Sequence, residues 1–196
     1  MMKTYLVLSV AVAALLSCGQ QKKPEQTTEK DSVQAMKESM DHLPSATVNF
    51  ITTTAAANLK EIRLGQLAKK KAQDNRIRQY GAMMEKDHTA ANEQLQAIAN
   101  RTGVTMPAGL TDDAKAAEQT LTNIRKEDFD RAYIKQMIDD HKKTIFEFNN
   151  VTSSKDTAIS NFSRNMLPKL NTHLEEANTI LEDMRKQINK RDISHN

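Results

Sequence analysis

DNRIRQYGAMMEKDHTAANEQLQAIAN, residues 74–100, decides the fold. Ile77, Tyr80, Met84, Ala91, Leu95 and Ile98 recur at three- and four-residue spacing. That spacing lines one face of an α-helix and predicts a buried stripe. Part of the same pattern returns downstream: Arg78, Tyr80, Met84, Asp87 and His88 reappear as Arg131, Tyr133, Met137, Asp140 and His141, each 53 residues on. Two helices built to one plan present the same residue types toward a common axis.

The flanking segments read the same way. Phe50, Ala57, Ile62, Leu64 and Leu67 predict a first long helix over 46–71, followed almost at once by the second over 74–100. Gly103 and Pro107-Ala108-Gly109 then break the chain, and Thr111 or Asp112 is placed to cap a short helix ending near Ile124. A third long helix is expected from Asp128 through Phe148, a turn at Ser153–Asp156, and a fourth from Ile159 toward residue 190. Pro168 lies inside that last pattern, which predicts a kink or local opening. The architecture expected is all-α, an antiparallel four-helix bundle over 45–190 with a short lateral helix between the second and third long helices, and a C-terminal tail over 191–196.

Composition agrees. Hydrophobic residues make up 38% but aromatics only 4%, with no Trp and ten Met, which suits helices packed by Leu, Ile, Ala and Met better than a sheet. The 28 basic and 25 acidic residues are interspersed, so the net charge of +3 makes no case for a nucleic-acid partner. Nucleotide-binding glycine loops, the G-x-S-x-G elbow and H-E-x-x-H are all missing. The Met residues read as core filler, and Lys69-Lys70-Lys71 as a solvated helix end.

MMKTYLVLSVAVAALLSCG, residues 1–19, joins Lys3 to an apolar run from Leu6 to Leu16. The run is shorter than the roughly 20 residues a spanning helix needs and has the proportions of a secretory signal. Leu15-Leu16-Ser17-Cys18 resembles the lipobox of bacterial lipoproteins, which implies cleavage after residue 17 and lipidation of Cys18. Acyl chains would hold the protein to a membrane at about 0.8 kcal/mol per buried CH₂. Residues 18–44 then form a polar tether, and an outer-membrane lipoprotein facing the periplasm is the expected location.

Three histidines fall in predicted helices: His88, His141 and His173; His42 sits in a turn and His195 near the C-terminus. Helix 1 offers Glu61. In an antiparallel hairpin, residues equidistant from the turn are level. Glu61 and His88 are centred on 74.5 and His141 and His173 on 157, each beside a predicted turn. The two hairpins align only if residues 111–124 form a separate lateral helix, since His141 would otherwise sit roughly 20 Å too far along at 1.5 Å per residue. Glu61, His88, His141 and His173 are therefore candidate ligands for a divalent transition metal: Cu, Zn, Fe or Ni. Asp87, Asp140, Tyr80 and Tyr133 are expected to support the site or the structure around it. The alternative is a buried polar network without metal that fixes the helices' register. Only Glu85 precedes a histidine with E-x-x-H spacing, so a carboxylate-bridged di-iron site is poorly supported.

Five stretches carry a family resemblance: Glu61-Ile62-Arg63-Leu64-Gly65-Gln66-Leu67-Ala68, Met84-Glu85-Lys86-Asp87-His88-Thr89, Phe129-Asp130-Arg131-Ala132-Tyr133, Met137-Ile138-Asp139-Asp140-His141, and Leu167-Pro168-Lys169-Leu170-Asn171-Thr172-His173-Leu174. In this order they resemble bacterial domain-of-unknown-function family 4142, within the ferritin-like helical bundles. The resemblance implies an exported helical domain and carries no ferroxidase activity with it. Two functions stand at this stage. The first is a non-catalytic, lipid-anchored envelope bundle engaged in stress tolerance or association with an envelope protein. The second is a periplasmic transition-metal-binding or metal-dependent oxidative protein. No catalytic residue is identified.

Overall fold

The computed structural model describes residues 44–194, with side chains to residue 190. The signal segment, Cys18, the tether up to residue 43, and His42 and His195 lie outside the described residues, as do the side chains of the expected tail from residue 191.

Among the described residues five helices follow one another: α1 (Ser45–Lys71), α2 (Asn75–Thr102), α3 (Asp112–Asn123), α4 (Lys126–Val151) and α5 (Thr157–Ser194). α1 packs on α2 and α4 on α5, the two hairpins face each other, and α3 lies across α1 and α4. This is the antiparallel bundle with a lateral helix that the periodicity predicts. α5 continues unbroken through Pro168 and runs to Ser194, past the expected end at residue 190. No described helix is long and apolar enough to cross a membrane.

The ends of the helices are set by local chemistry. Asp74 caps α2 by accepting from the Arg76 amide at 2.9 Å, and α2 stops at Gly103, whose φ of 73° is the left-handed geometry that favours glycine. The Thr111 hydroxyl accepts from the Ala114 amide at 3.2 Å, and Asp156 accepts from the Ala158 and Ile159 amides to open α5. Lys71, expected as a solvated helix end, instead donates to the Leu121, Thr122 and Ile124 carbonyls, pinning the C-terminal end of α3 across the bundle. Asp130 ties α4 to the first turn by accepting from the Gln73 and Asp74 amides.

α1 and α2 touch backbone to backbone at two glycines. A Cβ placed on Gly65 would stand 2.5 Å from the Gly81 carbonyl oxygen, and one on Gly81 would stand 2.7 Å from that of Gly65. Only hydrogen fits at this crossing, which locks the axial register of the first hairpin.

Apolar side chains gather into two clusters. One holds Leu64, Tyr80, Met84, Phe129, Tyr133, Met137 and Leu181. The other, toward the opposite end, holds Ile51, Leu95, Phe148, Ile159, Phe162 and Leu170. His88 lies between Met84 and Ala91 on α2, His141 between Ile138 and Phe148 on α4, and His173 between Leu170 and Ala177 on α5, all on buried faces. The bundle thus carries a polar layer between two apolar cores.

Candidate metal centre

His88, His141 and His173 come from three helices and meet in this layer. Their ring centroids are 5.2–5.7 Å apart, and one nitrogen of each lies within 4.8 Å of the others. All three are buried, at 4%, 2% and 1% exposure. The 53-residue repeat also closes on itself here: Tyr80 packs edge-on to Tyr133 at 6.3 Å, as His88 does to His141 at 5.7 Å.

Each imidazole has one nitrogen against an acceptor oxygen. His88 Nδ1 is 2.9 Å from Asn58 Oδ1, His141 Nδ1 is 2.9 Å from the Met137 carbonyl, and His173 Nε2 is 3.0 Å from Asp87 Oδ2. The Met137 carbonyl and the Asp87 carboxylate can only accept, which puts the N–H of His141 on Nδ1 and that of His173 on Nε2. A neutral imidazole has a single N–H, so the inner nitrogens of His141 and His173 are bare lone pairs. His88 Nε2 is buried without a partner, and His141 Nε2 faces His173 Nδ1 at 3.2 Å. Two lone pairs therefore face each other beside a third ring nitrogen that has no partner.

Burial keeps the rings neutral. It pushes His88 well below the ordinary histidine range, aided by the nearby His141 and His173. It takes His141 down to about 4, with His173 adding to the shift. Burial also lowers His173, although the Asp87 carboxylate opposes the effect. For Asp87, burial acts upward, but hydrogen bonds from His173 and Lys169 outweigh it and hold the carboxyl below its usual range. Asp87 spans the space between His173 and the half-exposed Lys169, whose Nζ is 3.1 Å away.

Glu61 is the correction. Expected level with His88, it is buried but outside the histidine trio, and Asn58 stands in its place. The reason is the turn. Ala72 leaves α1 in extended geometry and Asp74 caps α2, centring the hairpin on residue 73, the midpoint of Asn58 and His88. An error of 1.5 residues in the centre displaces the partner by three residues, or about 4.5 Å of helix. The two repeat aspartates also diverge: Asp87 serves His173, whereas Asp140 pairs with Lys60 at 2.7 Å and accepts from Gln136. The Tyr80 hydroxyl donates to the His173 carbonyl at 3.1 Å, while the Tyr133 hydroxyl is buried without a partner. Asn58 went unnoticed in the sequence, although it is a polar residue one turn from Glu61 on the same helix face.

Residues 24–180 match the family model described as Domain of unknown function (DUF4142). The chain belongs to this family. The DUF4142 bundle is also similar in fold to a DUF305 fragment from Deinococcus radiodurans, known from a crystal structure, with a TM-score of 0.65. The alignment covers 71% of this chain and 97% of that one at 12% sequence identity, a likeness of fold alone. No curated protein matches the chain.

Proposed function

We propose that this domain binds one divalent transition-metal ion through His88, His141 and His173. The observation that carries the reading is the meeting of three buried imidazoles in which His141 and His173, each with its N–H on an outer oxygen, face each other with lone pairs and His88 Nε2 has no partner. A network without metal leaves His141 and His173 in mutual repulsion and His88 Nε2 without a partner; a cation satisfies all three. Metal-ligating histidines characteristically donate their other N–H to a carbonyl or carboxylate, the role taken here by Met137 and Asp87, with the Asn58 amide oxygen serving His88.

The dimensions fit. Two nitrogens bound at about 2.0–2.1 Å in a tetrahedron lie about 3.3 Å apart, close to the present His141–His173 spacing, and His88 closes the set by moving inward about 1.5 Å or less. Neutral imidazole donors favour Cu, Zn, Ni or Fe over Mg or Ca, with Cu²⁺ bound most tightly. Three protein ligands would leave a tetrahedral ion one further position. Metal-free protein titrated calorimetrically with Zn²⁺ and Cu²⁺ should bind one equivalent, and His88→Ala and His141→Ala should each weaken binding at least about 100-fold. Variants that bind as tightly as the parent would remove the site.

The same reading keeps the lipid anchor at Cys18, the envelope location and the ferritin-like placement of the bundle. All three are supported by sequence pattern: the lipobox, the short apolar leader and the ordered family motifs. Labelling with a radioactive fatty acid, lost on Cys18→Ser, tests the anchor.

A further inference from the structure

We propose a second cation site, with oxygen donors, formed by Glu61 and Asp140 at the floor of the cleft between α1, α3 and α4, and suited to a hydrated divalent cation of the Mg²⁺ or Mn²⁺ type. It is separate from the histidine trio and does not rest on it. Glu61 is 95% buried, lines this cleft of about 420 Å³, and has one carboxylate oxygen with no hydrogen-bond partner. Asp140 lines the same cleft. A buried carboxylate oxygen without a partner, with a second carboxylate in the same cleft, is an arrangement that a cation satisfies. Burial, with Asp140 adding to it, holds the Glu61 carboxyl well above the ordinary carboxylate range.

The surroundings already receive positive charge. Lys60 Nζ reaches Asp140 at 2.7 Å from a flexible stem at the edge of the cleft, and can withdraw toward solvent. Asp113 and Glu147 add acidic groups to the wall, and Thr144 a hydroxyl. Carboxylates, hydroxyls and water select hard cations, and Mg²⁺-like ions are commonly held by one or two carboxylates while keeping several waters, for which the cleft has room. The trio offers only nitrogen, so the two sites sort ions by donor type.

The test uses Mn²⁺ as the probe, added to protein already given one equivalent of Zn²⁺, with free Mn²⁺ read by electron paramagnetic resonance. One Mn²⁺ should bind. Glu61→Gln, which mimics the protonated carboxyl and so preserves packing, should weaken Mn²⁺ binding at least about tenfold, because one charged ligand is lost. Lys60→Gln, at a partly exposed position, should tighten it about threefold or more by removing the competing ammonium. Zn²⁺ affinity should be unchanged in both variants. Equal Mn²⁺ binding by parent and Glu61→Gln, or weaker binding by Lys60→Gln, overturns the proposal. Mn²⁺ binding lost in His88→Ala but kept in Glu61→Gln also overturns it, by assigning that ion to the trio. Failure of the trio to hold Zn²⁺ leaves the Glu61 and Lys60 comparisons as decisive as before.

Discussion

Acidification should destabilise the metal-free protein through His141. The ring titrates near 6.5 when exposed and is taken down to about 4 in the fold. Between those values the unfolded chain binds a proton that the native state refuses, so stability is fully present above about pH 6.5 and falls as the pH drops toward 4. The gap of roughly 2.5 pH units is worth about 3 kcal/mol in full, of which about 2 kcal/mol is lost by pH 5. His88 and His173 are shifted in the same direction and add to the loss. Glu61 has the opposite sign: its folded pKa is raised, so acidification favours the native state and offsets part of the loss. The lowered Asp74 and Asp87 act only below the ordinary aspartate value of 3.8. The clean measurement is therefore a difference. Urea unfolding in chelator at about pH 7 and pH 5 should show the parent losing about 2 kcal/mol more than His141→Leu, with unchanged m-values. An identical pH response in the two proteins would mean that His141 is not held neutral by burial, and the lone-pair account of the trio would fall with it.

Gly65→Ala should lower stability by about 1–3 kcal/mol or more, because its Cβ would stand 2.5 Å from the Gly81 carbonyl oxygen; chemical denaturation reads this, and a neutral result refutes the close helix contact. Asp87→Asn should weaken transition-metal binding about 10- to 100-fold with little change in fold, since it alters the acceptor that orients His173 and, besides that, only the pair with the half-exposed Lys169; unchanged affinity in competition with a chelator dye contradicts that role. Asp130→Ala should cost about 1–3 kcal/mol by leaving the Gln73 and Asp74 amides without their carboxylate, and hydrogen exchange should quicken first at that turn.

The helices and their pairing were legible in the sequence because they depend on local spacing. The stripe through Ile77, Tyr80, Met84, Ala91, Leu95 and Ile98, the breaks at Gly103 and Pro107, and the short segment from Thr111 each mark structure within a few residues of themselves. The 53-residue repeat went further and brought Tyr80 to Tyr133 and His88 to His141. Hairpin symmetry placed the three histidines in one layer, provided α3 lay across the bundle, and it does.

Periodicity sets the angle of a side chain around its helix but says little about how far one helix slides along another. That sliding was decided by the Ala72–Asp74 turn and the Gly65–Gly81 contact, and it substituted Asn58 for Glu61 beside His88. Nor do identical motifs guarantee identical partners. Asp87 and Asp140 occupy equivalent repeat positions, yet one meets an imidazole and the other a lysine, because α5 lies beside the first and α1 beside the second. Residue identity and spacing determined which groups are carried on buried faces; only the packing of whole helices decided which of them touch.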